Sequence, residues 1–242
     1  MRIGHSIEID GIKGIVESIL PEGERIIRFD EEIDIESNGQ LALPHYMRRE
    51  AEEIDSERYQ TVYAKNPGAI AAPTAGLHFT KDHLSKIPHT FITLHVGVGT
   101  FKPVKADLIT NHEMHSEYFE VSEEAKEMIN GAEKRISIGT TVTRVLEHMN
   151  QNDTGKIVAG SGDTNIFIYP GYEFQCVDAL LTNFHLPKST LFMLVCALAG
   201  TDLMKDAYHK AVEEEFRFFS YGDCCLITVS YTHLRAHETL LY

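Results

Sequence analysis

From His5 to Phe29 the chain alternates apolar and polar positions in three runs: His5-Ser-Ile-Glu-Ile, Ile12 to Leu20, and Arg25 to Phe29. A period of two puts successive side chains on opposite faces of a strand. With Pro21-Glu22-Gly23 as a turn between two of the runs, residues 1–36 are expected to form a β-meander. Leu41 to Tyr46 reads as loop. Met47 to Tyr59, rich in Arg and Glu, reads as a short exposed helix or a linker. Beyond residue 60 the pattern changes to short apolar runs between amphipathic segments. It predicts strands at Phe91–Val96, Tyr118–Val121, Arg135–Gly139, Asn165–Tyr169, Ala179–Leu181 and Cys224–Val229. It predicts helices from about Thr80 to Ile87, after Ser122, from Gly139 to Glu147, from Leu191 to Ala199 and from Asp202 to Phe216. Strands alternating with helices predict an α/β sandwich, in which sites form at the carboxyl ends of the strands.

The stretch from Val177 to Gly200 organises the rest. A short buried strand ends in Thr182, Asn183 and His185; Pro187 breaks the pattern; Lys188, Ser189 and Thr190 lead into an apolar run that stops at Gly200. Ser189 or Thr190 is the expected N-cap and Gly200 the stop. Such a loop sets an amide, an imidazole, an ammonium and hydroxyls around a helix N-terminus, which suits an anionic group. The plainer alternative is a capped core helix with a solvated loop.

Three other stretches carry candidate chemistry. Pro73-Thr74-Ala75-Gly76, with His78 just beyond, lets backbone N–H groups converge, as a nucleotide or carboxylate site needs. Gly97-Val98-Gly99-Thr100 follows a strand, but lacks the third glycine of the dinucleotide fingerprint and the Gly-Lys-Ser/Thr of a phosphate loop, so it reads as a glycine-bent corner. Asn111 to Glu117 is dense in His and Glu, yet His112 and His115 are three apart, not the four of the zinc-binding HExxH pattern. Arg144 and Glu147 stand one turn apart on their helix, and the plainer reading of them is an intrahelical ion pair.

Charge and cysteines narrow the classes. The net charge of −14 over 242 residues argues against a broad nucleic-acid interface, which needs a basic face, and is compatible with a local basic pocket. The four cysteines, Cys176, Cys196, Cys224 and Cys225, show no CxxC spacing. They read as reduced core thiols of a cytosolic protein rather than a metal site. No signal peptide is visible, and the longest apolar run is shorter than the roughly 20 residues that cross a bilayer.

The blocks YQTVYAKNPGAIAAPTAGLHFT, TLHVGVGTFKPV, HEMHSEYFEV, GTTVTRVLE, FIYPGYEF, VDALLTNFHLPKSTLFMLV and FRFFSYGD, in this order, closely resemble the S-adenosylmethionine:tRNA ribosyltransferase-isomerases of the queuosine pathway. The resemblance runs from near the start to about Ile227. It implies transfer of the ribosyl part of S-adenosylmethionine to 7-aminomethyl-7-deazaguanine at the tRNA wobble position, with isomerisation to epoxyqueuosine and release of adenine and methionine. It implies an α/β fold that pairs an αβα sandwich with a β-barrel: residues 1–45 as a partial barrel domain and 46–229 as the sandwich with the active site. Family members carry a substantial portion before the point matching Arg2, so the chain is expected to be N-terminally truncated. Residues 230–242 match nothing in the family and are expected to be a non-native tail.

That reaction needs a base for the carbon beside the sulfonium, a proton donor for the departing adenine, and tight orientation of the aminomethyl nitrogen. The blocks supply His78, His95, His115, Glu117, Asp178 and His185. His95 or Glu117 is expected as the base, with His185 or Asp178 as its partner. Thr74, Gly76, His78, Gly97 and Thr100 are expected to cradle S-adenosylmethionine, the ribosyl donor. Arg144, Lys188 and Asn183 are expected to meet a carboxylate or the RNA. The implied partner is tRNA carrying 7-aminomethyl-7-deazaguanine, bound by a cytoplasmic monomer with no membrane and no metal. Two rival readings stand beside this one: an inactive truncated fragment, prone to aggregate through open sheet edges, and a metal hydrolase using His112 and His115.

Overall fold

The structure, a computed structural model of the chain, describes residues 1–20, 23–34, 49–97, 114–150 and 154–228, with scattered positions between 37 and 47 and at 109 and 112. Two compact units divide the chain, Met1–Glu53 and Ile54–Tyr242.

The first unit is an antiparallel meander of β1 (Ser6–Ile9), β2 (Ile12–Ile19) and β3 (Arg25–Phe29) in that order. Asp10 and Gly11, both at positive φ (51° and 78°), join Ile9 to its partner Ile12. Two positive-φ residues make the turn whose twist matches a hairpin, which is why Asp-Gly stands there. A register shift between Val16 and Ser18 marks a bulge against β3.

Among the described residues, the second unit holds two three-stranded sheets. One is wholly antiparallel: β4 (Thr93–His95), β5 (Glu117–Val121) and β7 (Gly160–Thr164). The other sets β6 (Ile136–Ile138) parallel to β8 (Ala179–Asn183), and β8 antiparallel to β9 (Cys224–Thr228). Parallel neighbours need a crossover, and α4 (Thr140–Met149) lies within it. Shorter helices precede it: α1 (Glu53–Arg58), a 3-10 turn over Thr74–His78, α2 (Lys81–Ser85) and α3 (Glu123–Gly131). Two more follow β8, α5 (Thr190–Ala199) and α6 (Thr201–Glu213).

The caps explain where helices begin. Ser122 Oγ accepts the Ala125 N–H and Ser189 Oγ accepts the Phe192 N–H, each at 3.1 Å. Gly200, at φ 92°, ends α5 and lets the chain turn into α6. Helix α5 is apolar on nearly every side, the pattern of a helix buried all round. It packs with Leu180, Phe184, Met204, Tyr208 and Ile227 in one core; Phe119, Val121, Val145, Leu146, Ile157 and Val177 form the other.

The predicted strand at Asn165–Tyr169 is corrected: the strand is Gly160–Thr164. Its sequence, Gly-Ser-Gly-Asp-Thr, has poor strand propensity. Pairing along all of β5 overrides that, and Gly162 leaves space for the Phe119 ring, which a Cβ there would meet at 3.3 Å. At Ile166 the backbone is committed to side chains instead of a ladder. The Ile166 N–H bonds Thr164 Oγ1 and the Ile166 carbonyl accepts from Arg144. The predicted strand Phe91–Val96 is likewise shorter, Thr93–His95, while Val96 O accepts the Ile70 N–H at 2.9 Å. The cysteines are free thiols.

Candidate active site

The parallel strands β6 and β8 end side by side. Gly139 donates its N–H to Leu181 O at 2.8 Å and, at φ 96°, swings the chain directly into α4. Thr143 Oγ1 bonds both Ser137 Oγ (2.7 Å) and the Gly139 carbonyl (3.2 Å), which fixes this corner. The 3-10 turn Thr74–His78 packs on the same edge: a Cβ on Gly139 would stand 3.8 Å from that of Ala75. Gly76 is required by a close approach, because a Cβ there would lie 2.1 Å from Tyr63 Oη and 2.8 Å from Thr61 Cγ2.

Asn183, the last residue of β8, forms the floor and is 3% exposed. Its Nδ2 contacts His78 Nε2 and the Gly222 carbonyl, each at 3.3 Å. Its Oδ1 is buried and has no hydrogen-bond partner among the described residues. Burial holds the His78 imidazole below its ordinary pKa, Asp223 opposes that shift and Arg217 adds to it. His185 follows two residues later. Its Nε2 pairs with Thr182 Oγ1 at 2.9 Å and its N–H donates to Tyr208 Oη at 3.0 Å. Desolvation pushes its pKa down to about 4.

The loop from Arg217 to Asp223 closes over this floor. Asp223 takes the Arg217 N–H at 2.8 Å and its guanidinium at 2.6 Å. Phe219 is held at φ 72°, costly for an aromatic residue, and its N–H bonds Phe184 O. Gly222 is obligatory, since a Cβ would fall 2.5 Å from the Arg217 carbonyl oxygen. Helix α1 and the residue after it brace the loop: Asp55, 2% exposed, accepts from Tyr221 Oη at 2.9 Å, and Tyr59 Oη reaches Ser220 Oγ at 3.4 Å. So the segment read as an exposed helix or linker buries two side chains. The residues that sequence reasoning missed are Asp55, Tyr63, Gly222 and Asp223; the Tyr-Gly-Asp turn before β9 was the local signal of the last two.

Other predicted residues lie elsewhere. Arg144 does not pair with Glu147 and does not reach the surface. Its Nη1 donates to Glu117 Oε2 at 2.8 Å, with side chains 4% and 3% exposed. It lies too deep to meet an RNA backbone. Glu147 instead takes the N–H groups of Gln175, Cys176 and Val177 (3.0, 3.0 and 2.9 Å). Asp178 is at the opposite end of β8 from His185 and accepts the Arg135 N–H at 2.8 Å; the two do not come together. His95, in β4, stands edge-on to Tyr118, and a Cβ on Gly68 would fall 2.1 Å from its Nδ1. The segment from Gly68 therefore leaves His95 and arrives at Asn183 through His78. Gly97 is half-buried. Lys188 is exposed at φ 62° just before α5. Thr100 lies outside the described residues. Among the described residues, His112 and His115 included, no group of three or more His, Cys, Asp or Glu is placed to hold a metal ion. No described helix is long and apolar enough to cross a membrane.

Residues 1–227 match the family of queuosine biosynthesis proteins. The chain is similar to curated S-adenosylmethionine:tRNA ribosyltransferase-isomerases. It is 52% identical to that of Natranaerobius thermophilus over 222 residues, covering 86% of this chain and 64% of the relative. It is 47% identical to that of Finegoldia magna, covering 94% and 69%, and 48% identical to that of Staphylococcus epidermidis, covering 94% and 70%. The chain thus spans about two thirds of its relatives' length, and less than that of the first. A solved S-adenosylmethionine tRNA ribosyltransferase from Thermotoga maritima superposes with a TM-score of 0.52 at 30% identity, covering 93% of this chain and 66% of the other. On the extent of these matches, the chain belongs to the queuosine biosynthesis protein family.

Proposed function

We propose that this chain carries the ribosyl-transfer centre of an S-adenosylmethionine:tRNA ribosyltransferase-isomerase. It moves the ribosyl part of S-adenosylmethionine onto 7-aminomethyl-7-deazaguanine in the tRNA wobble position and isomerises it, giving epoxyqueuosine-tRNA, adenine and methionine. The observation that carries this reading is identity of 47% to 52%, along most of the chain, to relatives of that name. In the same reading residues 1–45 contribute strands to a β-barrel and residues 46–229 form an αβα sandwich, acting as a monomer in the cytoplasm.

The site's geometry supports a division of roles. The sulfonium acidifies the adjacent carbon, so an imidazole suffices as base and the scheme needs no metal. His95 suits that role better than Glu117, whose carboxylate is committed to Arg144. His185 suits the partner's role better than Asp178, which sits at the far end of β8; its low pKa leaves the imidazole neutral at neutral pH. Thr74, Gly76, His78 and Asn183 hold the nucleoside end of S-adenosylmethionine, where small residues let backbone approach the ligand. Lys188, exposed on the loop before α5, meets the RNA backbone. With a net charge of −14, RNA contact is confined to a small surface around a splayed anticodon base.

The test is adenine release from S-adenosylmethionine with tRNA carrying 7-aminomethyl-7-deazaguanine, followed by chromatography. Release is expected from this chain or from one extended at its N-terminus to the relatives' full length. Absence of release from both, with both folded, overturns the reading.

A further inference from the structure

The floor of the centre contains an amide whose orientation is dictated by its neighbours. Asn183 Nδ2 lies 3.3 Å from the Gly222 carbonyl oxygen and 3.3 Å from His78 Nε2. A carbonyl can only accept, so the group facing Gly222 must be the NH2 and not the oxygen. The reversed amide would set two oxygens against each other at that distance. Gly222 sits in a tight turn, where a Cβ would fall 2.5 Å from the Arg217 carbonyl oxygen and the Phe218 carbonyl carbon, and Asp223 ties the loop back to Arg217. The second N–H of the same NH2 then points at His78 Nε2, which must be the unprotonated nitrogen. The orphaned Oδ1 is the cost of this arrangement. A buried acceptor without a partner costs about 1–3 kcal/mol, and such costs persist at sites that need a fixed geometry.

We propose that Asn183 is a positioning residue: it locks His78 as the neutral tautomer with its proton on Nδ1, so that His78 presents an N–H donor to a ring nitrogen of the departing purine. The assignment of the purine rests on the ribosyl-transfer reading; the lock does not. His78 is an exposed residue, and Asn183 covers its Nε2, which leaves Nδ1 as the ring nitrogen that meets a ligand. Asp223 and Arg217 are the charged groups that act on the ring, with opposite effects. A neutral imidazole can act as an electrophile in this way, polarising a ligand without giving up its proton. When the bond between ribose and purine breaks, its electron pair goes to the purine, and the Nδ1–H bond spreads that charge. The purine then takes its proton from solvent.

The experiment is nitrogen-15 NMR of the full chain with labelled histidine, with adenine release measured on the same preparations. In the wild type, neutral His78 should carry its proton on Nδ1. In Asn183→Asp a carboxylate oxygen replaces the donor, so the proton should move to Nε2, and adenine release should fall about a hundredfold in kcat with little change in KM. A wild-type proton on Nε2 overturns the proposal outright, whether or not any variant folds. So does an unchanged tautomer in folded Asn183→Asp, or a shifted tautomer with wild-type release. A locked Nδ1–H in a chain that releases no adenine, even when extended, keeps the lock and overturns the purine assignment together with the ribosyl-transfer reading.

Discussion

Arg144 donates to Glu117 across 2.8 Å from the middle of α4 to the first residue of β5, with both side chains almost wholly out of water. The pair joins the helix of the crossover to the antiparallel sheet, and Arg144 also bonds the Ile166 carbonyl at 3.1 Å. A buried pair adds little over apolar residues of the same shape, but breaking it strands a charge. Arg144→Met should therefore lower stability by about 3–5 kcal/mol. Glu117→Leu combined with Arg144→Met should cost much less than the sum of the two single changes. Urea unfolding of the three variants checks this, and strict additivity would remove the coupling.

Glu147 offers a second buried test with a different chemistry. Its carboxylate, 1% exposed, accepts three successive backbone N–H groups at 175–177 and the Tyr172 hydroxyl. A glutamine has the same shape but turns an NH2 towards donors that need an acceptor. Glu147→Gln should cost about 3 kcal/mol, the scale of losing a charge-assisted bond and burying an unmatched donor. Because residues 175–177 lead into β8, hydrogen exchange of the Leu180 and Thr182 amides should quicken in the variant. Exchange at wild-type rates would confine the role of Glu147 to its own loop.

The elements that could be read from sequence were those with local signals. Ser189 and Gly200 bracket α5 at the expected places because a cap and a stop act within one turn. Strand β8 was visible because it is apolar, and the meander because its period is two. What the sequence hid is carried by long-range pairing. Arg144 and Glu147 looked like an i,i+3 pair, yet the partner of Arg144 is 27 residues away. Asn183 and His78 were both candidates, but nothing local joins residues 105 apart. Gly160–Thr164 has no strand signal of its own and is a strand because β5 offers it a ladder. Asp55 looked solvated because charge is normally outside, and a partner that satisfies it in the interior, Tyr221, lies 166 residues on.

Gly76 is the position where the 3-10 turn is most vulnerable. A methyl group there would meet Tyr63 Oη at 2.1 Å and Thr61 Cγ2 at 2.8 Å. Gly76→Ala should destabilise the unit by about 1–3 kcal/mol through overpacking and, on the proposed function, weaken S-adenosylmethionine binding. Tyr63→Phe removes the closest atom and should recover part of both losses in the double variant, measured by thermal melts and calorimetric titration. No recovery would show that Thr61, rather than Tyr63, sets the fit.

His185 gives the fold a pH dependence whose direction follows from its burial. Its folded pKa, depressed to about 4, lies below the ordinary value of roughly 6.5. Above that value neither state binds the proton and the residue adds no slope. As pH falls from about 6.5 to about 4, the unfolded chain takes the proton and the folded one resists, so stability declines across that window. Below it both states are protonated and the loss is complete, at most about 3 kcal/mol for a shift of this size. His185→Gln keeps a hydrogen-bonding side chain and cannot titrate. Its urea midpoint should therefore vary less between pH 6.5 and 4 than that of the wild type. The carboxylates contribute the same background to both proteins, so the difference between the two curves isolates the imidazole. Parallel curves would mean that His185 is protonated in the fold as readily as in the unfolded chain. In that case its Nε2 would donate to Thr182 Oγ1 as an imidazolium, and it would lose its proposed place as the neutral partner of the base.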